Sequence, residues 1–154
     1  MTQSTVHLFE RPQHLRQVAH WIYEAFWFDL EGYSPAFFEG KLSEANSPNF
    51  LPLSLLALDG DSPAGTVNLI VNDDPTRPHL SPWLAALYVL PEFRRRGHAV
   101  ALCRRLFEEA GRLGCHEVYI ETHIPDFYRR FGAQVHEEAA DDMWVMRVPL
   151  APAD

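Results

Sequence analysis

The chain has 154 residues, 47% hydrophobic and 22% charged, which is the balance of a globular protein with a hydrophobic core. Thirteen basic against 21 acidic residues give a formal net charge of −8. This charge argues against nucleic acid or an anionic membrane as a partner and favours cationic ligands.

The N-terminus lacks a basic segment followed by an apolar one, and no segment has 18 uninterrupted apolar residues. We therefore expect a cytoplasmic protein with no membrane partner. No repeat or linker interrupts the sequence, so we expect one domain over residues 1–154. Cys103 and Cys115 lack the spacing of a metal or disulfide motif, and we expect reduced thiols, with Cys103 buried and inert.

The first half of the chain predicts a strand, two helices and two further strands. A short strand at Val6 to Phe9 precedes a helix over residues 12–27, where apolar positions recur with helical spacing. A shorter helix begins at Ser34-Pro35, a typical cap followed by a first-turn proline. Two apolar runs, 53–58 and 66–71, flank a turn cluster rich in Asp, Gly and Pro and predict an antiparallel pair.

The second half predicts a strand, a helix and a strand in succession. A strand over 84–89 is followed by an amphipathic helix that begins after Gly97 and ends at Gly114. A strand at Glu117 to Glu121, a short helix at Asp126 to Phe131 and two strands around an acidic loop complete the chain. The crossover makes the strands that flank the long helix parallel, so a ligand should lie at their carboxyl ends.

The turn before the long helix has the sequence Arg94-Arg95-Arg96-Gly97-His98-Ala99. Backbone N–H groups at the start of a helix have no helical partner, and they can converge on an anion. Three arginines in a turn are by themselves more often a solvated surface. The glycine and the strand–turn–helix context favour a phosphate-bearing ligand instead. Neither a GxxxxGK[S/T] loop nor a GxGxxG turn is present, so the ligand is not predicted to be a P-loop or Rossmann nucleotide.

This turn resembles the acetyl-CoA signature of the GCN5-related N-acetyltransferase (GNAT) family, (Gln/Arg)-x-x-Gly-x-(Gly/Ala). The segment Phe127 to Ala133 resembles a second family segment, (Phe/Leu)-Tyr-x-x-x-Gly-(Phe/Trp/Ala), at the usual distance downstream. With the element order, the resemblance covers essentially the whole chain. It implies a GNAT-like α/β fold: a mixed central sheet of about six to seven strands, about four flanking helices and a splayed pair of parallel strands at the CoA site.

The resemblance also implies acetyl-CoA as co-substrate. The turn would surround the pyrophosphate, and the backbone of the preceding strand would pair with the pantetheine amides. His98 replaces the aliphatic residue that is common at its position. The residues expected to bind the donor are Leu87, Tyr88, Val89, Arg94, Arg95, Arg96, Gly97, His98 and Ala99. We expect no metal, because the eight histidines show no ligand spacing.

By the same resemblance, the protein is an N-acetyltransferase in which a primary amine attacks acetyl-CoA directly in a ternary complex. Tyr128 would be the general acid that protonates the departing thiolate. The general base stays open, because residues 83–89 contain no carboxylate and solvent could also supply a neutral amine. The candidates are Asp73, Asp74, His79 and Glu31.

Three segments are expected to line the acceptor site: Trp27 to Tyr33, Asp73 to His79 and Glu137 to Asp142. All three carry carboxylates, so we expect a cationic amine as acceptor, either a small molecule or a peptide amine. The alternative is a non-catalytic acetyl-CoA-binding sensor or scaffold with the same fold. An ordinary interaction domain is a third, weaker alternative, and both a monomer and a homodimer stay open.

Overall fold

A computed structural model of the protein describes residues 2–151. Seven strands and four α-helices confirm the predicted fold class. The strands are β1 (Gln3–His7), β2 (Leu53–Asp59), β3 (Ser62–Ile70), β4 (Trp83–Val89), β5 (Glu117–Thr122), β6 (Gln134–Glu138) and β7 (Trp144–Pro149). The helices are α1 (Leu15–Ile22), α2 (Pro35–Ser43), α3 (His98–Arg112) and α4 (Pro125–Arg129).

The strands form one mixed sheet in the order β1-β2-β3-β4-β5-β7-β6. Every neighbouring pair is antiparallel except β4 and β5, which are parallel because α3 connects them across the sheet. The predicted hairpin is β2–β3, joined by a tight turn at Gly60-Asp61. The parallel pair therefore lies in the middle of the sheet, where its carboxyl ends can form a site.

Each face of the sheet packs against helices. Leu55 and Val67 lie on the face covered by α3, whose apolar stripe includes Leu102 and Leu106. Leu56, which neighbours Leu55 along β2, points to the opposite face and packs with α1 and α2. The strands at the centre are thus apolar on both faces, as buried strands require.

Several element boundaries differ from those predicted. β1 lies at Gln3–His7, earlier than the expected strand, because a 3-10 turn at Leu8–Glu10 turns the chain and buries Leu8 in the core beneath α1. The long helix expected over 12–27 is a 3-10 turn, α1 and a π-helical turn at Tyr23–Trp27 in succession. β6 runs to Glu138, into the acidic segment that was expected to form a loop, because it pairs with β7. Within residues 2–151, no helix is both long and apolar enough to cross a membrane.

Replacement of Gly65 by alanine should strongly destabilise the protein. A Cβ at Gly65 would lie 2.6 Å from the carbonyl oxygen of Tyr88 and 3.2 Å from Cα of Val89, and both are backbone atoms that cannot rotate away. Overpacking of this kind costs about 1 to 3 kcal/mol. Urea denaturation should therefore show a lower midpoint for Gly65→Ala.

The matched control is Gly40→Ala in α2, where a Cβ meets nothing within 4 Å. Alanine is the better helix former, so this variant should be neutral or more stable by up to about 1 kcal/mol. Equal stability of the two variants would contradict the role given to Gly65.

Candidate active site

The site is organised around a gap between β4 and β5. The two strands pair only at Trp83 and Tyr119, where the Tyr119 N–H donates to the Pro82 carbonyl at 2.9 Å. Farther along β4, a bulge shifts the register with β3, and Ala86 has a φ of 52°. The strands part beyond the pair, so one edge of β4 has no strand partner in the described part of the chain. A ligand with amide groups can bind such an edge.

A cavity of about 270 Å³ lies at the turn that follows β4. The turn curls around it because Arg95 (φ 64°) and Gly97 (φ 89°) both have left-handed backbone conformations. Gly97 is also the N-cap of α3, so the first N–H groups of this helix face the same region. The lining residues are Val89, Phe93, Arg94, Arg95, Gly97, His98, Ala99, Val100 and Arg130.

The arginines of the turn have different roles. Arg94 Nε donates to the Val89 carbonyl at 2.9 Å, and its guanidinium lies over the Tyr88 ring. Arg96 lies over Phe93, donates to Asp59 at 3.4 Å and does not line the cavity, in contrast to what its sequence position suggested. Both side chains hold the turn in place.

The exposed guanidinium of Arg95 makes no hydrogen bond to another residue between positions 2 and 151, and Arg95 lines the cavity. Arg130, the residue that follows α4, also lines it and was missed by the sequence analysis. Its position directly after Tyr128-Arg129 in the second family segment was the available signal. Its Nε donates to the Phe127 carbonyl at 3.1 Å, and its guanidinium lies over the Phe127 ring. Arg95 is therefore the cation best placed for an anionic ligand, and Arg130 adds a second positive charge to the lining.

His98 anchors the turn to the sheet. Its side chain is buried, and Nε2 lies 2.8 Å from the Asp59 carboxylate at the end of β2. Hydrogen bonds with His98 and Arg96 lower the pKa of Asp59, so the carboxylate stays ionised although it is buried. The departure from an aliphatic residue at position 98 thus has a structural reason, because the histidine pairs with Asp59.

A second and larger cleft of about 770 Å³ opens on the face of the sheet that carries α1 and α2. It reaches β4 at the bulge, and Leu87 lines it while Val89 lines the smaller cavity. Tyr88 lines neither cavity, because its ring packs on Trp21 of α1. Both cavities therefore border β4, at positions two residues apart.

Tyr128 borders this cleft from α4. The residue is only 5% exposed and packs against Phe127, with ring centroids 4.9 Å apart. Burial raises the pKa of its phenol, and the nearby Cys103 raises it further. The hydroxyl makes no hydrogen bond to another residue of the described chain, so it is a neutral donor that is free to serve a ligand.

Two carboxylates line the same cleft, Asp73 and Glu121. Asp73 is exposed at the cleft wall, but the surrounding protein atoms desolvate its carboxyl group. This desolvation, together with the charges of Glu121 and Asp74, raises the pKa of Asp73 to about 7. Burial and Asp74 raise the pKa of Glu121 as well. Glu121 was not among the predicted residues, although its place near the carboxyl end of a parallel strand was a usable signal.

The other predicted bases are less suitable. Asp74 is buried, accepts hydrogen bonds from Thr76 and from Arg77 at 2.6 Å, and has its pKa lowered to about 2. Such a carboxylate is a poor proton acceptor and instead orders the loop. His79 and Glu31 are exposed and line neither cavity. Of the four candidates, the structure brings only Asp73 to the cleft.

The expected acceptor segments contribute unequally to the cleft. Trp27 and Tyr33 line it, as does Asp73. From the hairpin expected over Glu137 to Asp142, only the following residue, Met143, reaches it. Glu137 instead pairs with Arg77 at 2.7 Å.

A covalent role for a cysteine is not supported. Cys103 lies in the core between α3 and the sheet, and burial raises its pKa to about 12. Its thiol is therefore protonated at neutral pH and unreactive. Burial raises the pKa of the half-buried Cys115 as well. Among residues 2–151, no group of three or more His, Cys, Asp or Glu side chains is arranged to hold a metal.

Comparison with solved structures finds the same fold in several acetyltransferases. Aminoglycoside 6′-acetyltransferase type Ii is 19% identical with a TM-score of 0.72, and the match covers 100% of both chains. The PaiA N-acetyltransferase from Thermoplasma acidophilum, solved with coenzyme A, is 20% identical with a TM-score of 0.62 over 97% of this chain and 99% of that one. The ribosomal-protein-S18-alanine N-acetyltransferase from Escherichia coli is 17% identical with a TM-score of 0.68 over 99% and 97%.

A comparison with curated proteins finds no match in sequence. A family model does match, and its description is the acetyltransferase (GNAT) family. The match runs over residues 14–133, which include β4, the Arg/Gly turn, α3, β5 and Tyr128. The chain therefore belongs to the acetyltransferase (GNAT) family, as the turn and the Tyr128 segment predicted.

Proposed function

We propose that this acetyltransferase transfers the acetyl group of acetyl-CoA to a primary amine, by direct attack in a ternary complex. One observation carries the proposal: the gap between β4 and β5 has on one side a turn whose backbone N–H groups and arginines face a cavity, and on the other a cleft lined by Tyr128 and two carboxylates. A donor with a pyrophosphate fits the turn, and an amine fits the carboxylates.

The residues present suit coenzyme A in three respects. The left-handed turn and the start of α3 supply N–H groups for the pyrophosphate, and Arg95 and Arg130 supply positive charge. The unpaired edge of β4 offers backbone groups to the amides of the pantetheine arm. The bulge at Ala86 opens the sheet at the point where the thioester would enter the cleft.

The amine must lose a proton before it can attack, and Asp73 is our candidate for the base that takes this proton. A carboxyl group with a pKa near 7 is ionised in a large fraction at neutral pH, and it is more basic than an ordinary aspartate. The neutral amine nitrogen forms a bond to the thioester carbon, and the C–S bond then breaks. The nitrogen, positively charged after the attack, loses its second proton to solvent, which leaves a neutral amide. Tyr128 donates its phenolic proton to the departing thiolate, and solvent restores that proton.

The carboxylates also favour a cationic acceptor, since an amine arrives as an ammonium ion. Two of the structural neighbours are named for an aminoglycoside and for the alanine of a ribosomal protein. Both small-molecule and peptide amines therefore belong in the first screen of acceptors.

Gly97→Ala should weaken acetyl-CoA binding about tenfold, as measured by calorimetry. Alanine at a φ of 89° is strained, and relief of the strain would move the N–H groups that face the cavity. Gly114→Ala is the control, because Gly114 has a similar φ of 86° at the other end of α3, away from the cavity. Both variants should lose similar stability. Equal loss of acetyl-CoA affinity in the two would therefore contradict the role given to the turn before α3.

Tyr128→Phe should lower kcat by about a hundredfold and leave the affinity for CoA nearly unchanged, because it removes only the proton donor. Thiol release on an amine panel measures the first quantity and calorimetry the second. Tyr119→Phe is the control, a buried tyrosine whose hydroxyl donates to Glu117 at 2.7 Å outside the cleft. Normal turnover in Tyr128→Phe would remove the acid role.

The rate should depend on the ionisation of Asp73. Only the carboxylate accepts a proton, so kcat/KM should rise as the pH increases through about 7, and Asp73→Asn should abolish this rise. Glu121→Gln removes a negative charge that raises the Asp73 pKa, so the rise should move to lower pH. A pH–rate profile and a ¹³C NMR titration of the aspartate carboxyls measure both effects.

The exposed Glu138 provides the control, and Glu138→Gln should leave the profile unchanged. A profile that loses its rise in Glu121→Gln but keeps it in Asp73→Asn would assign the base to Glu121 instead.

A further inference from the structure

The far end of the large cleft holds a buried hydroxyl group without a partner. Ser54 lines the cleft from β2, is 2% exposed, and its Oγ makes no hydrogen bond to any residue of the described chain. A buried hydroxyl in this state destabilises the fold relative to one that has a hydrogen-bond partner. Native proteins rarely leave such groups unpaired, so a ligand at this end of the cleft is expected to supply the partner.

Asn68 extends the polar site toward β4. Strand register places Ser54 opposite Asn68, and Asn68 opposite Ala85, so the three side chains lie in one row on the cleft face. The Asn68 side-chain amide is nearly buried and donates only a long hydrogen bond of 3.4 Å to the Ala85 carbonyl. Neighbouring strands lie about 4.8 Å apart, so Ser54 lies roughly 10 Å from the bulged strand.

Part of the cleft wall is aromatic. Trp27 and Tyr33 have ring centroids 4.4 Å apart, and Tyr33 also contacts Phe37 and Phe38. All four side chains line the cleft. An apolar or aromatic body of the acceptor therefore fits the cleft.

Charge is distributed unevenly around the cleft. The lining carboxylates, Asp73 and Glu121, belong to the segment after β3 and to β5. The lining lysine, Lys41, belongs to α2 and lies 5.6 Å from the centroid of the Phe37 ring. A second ammonium group on the acceptor would thus meet the like charge of Lys41.

We propose that the acceptor is an elongated monoamine with an apolar body and a neutral hydrogen-bonding group at its far end, which pairs with Ser54 and Asn68. This inference rests on the proposed function for the identity of the reacting group. It narrows the cationic acceptors to those with one ammonium group, and it makes Ser54 a specificity-determining residue.

Matched pairs of amines test the proposal: tyramine against 2-phenylethylamine, and the longer 4-(aminoalkyl)phenols against their phenyl counterparts. At the linker length that fits, the wild-type protein should prefer the phenol by roughly three- to tenfold in kcat/KM, the worth of one hydrogen bond. Ser54→Ala should abolish this preference. Ser62→Ala, an exposed serine at the start of β3, should keep it.

Binding of the same amines to the protein–CoA complex, measured by calorimetry, distinguishes failure of the proposed function from failure of the polar site at Ser54 and Asn68. If the phenol binds more tightly than the phenyl amine in a Ser54-dependent way but no amine is turned over, the proposed function would be overturned and the role of Ser54 and Asn68 supported. Three results with turnover would overturn the role of Ser54 and Asn68 alone. These are equal rates for the phenol and the phenyl amine, a preference that survives in Ser54→Ala, and spermidine as the best acceptor. No turnover and no binding would overturn both.

Discussion

The structure depends on the parting of two parallel strands. β4 and β5 share a single pair, Trp83 with Tyr119, and the bulge at Ala86 then turns β4 away. A continuous ladder would fill the centre of the sheet with backbone hydrogen bonds and leave no room for a ligand. Because the ladder stops, backbone groups in the middle of a buried sheet become available, and both cavities border the same strand.

The position of the Arg/Gly turn between β4 and α3 was predictable from the sequence, because the relevant residues are consecutive. The turn from Arg94 to Ala99 carries its own backbone geometry, and its place between an apolar strand and an amphipathic helix was readable from periodicity. The separate roles of the arginines were not readable. Arg96 is held by Asp59 and Phe93. Asp59 is remote in sequence, and only the fold turns the ring of Phe93 toward Arg96.

The acceptor side was harder to predict, because its residues come from many separate segments. Asp73 was one of four equal candidates until the fold placed it beside Glu121 and desolvated it. Its neighbour Asp74 has the opposite electrostatic environment, because Arg77 and Thr76 hold it ionised. Ser54 carried no signal in the sequence, because only the folded structure shows that its buried hydroxyl has no hydrogen-bond partner.

The contact between His98 and Asp59 couples the Arg/Gly turn to the end of β2, so the residues at these two positions depend on each other. The two residues are 39 positions apart, and both are buried. Removal of one partner from a buried hydrogen-bonded pair leaves the other unsatisfied and costs about 1 to 3 kcal/mol, whereas an apolar replacement of both can be nearly neutral. An aliphatic residue at position 98 should therefore be tolerated only together with a change at position 59. Transfer of this turn into another member of the family would have to carry both residues.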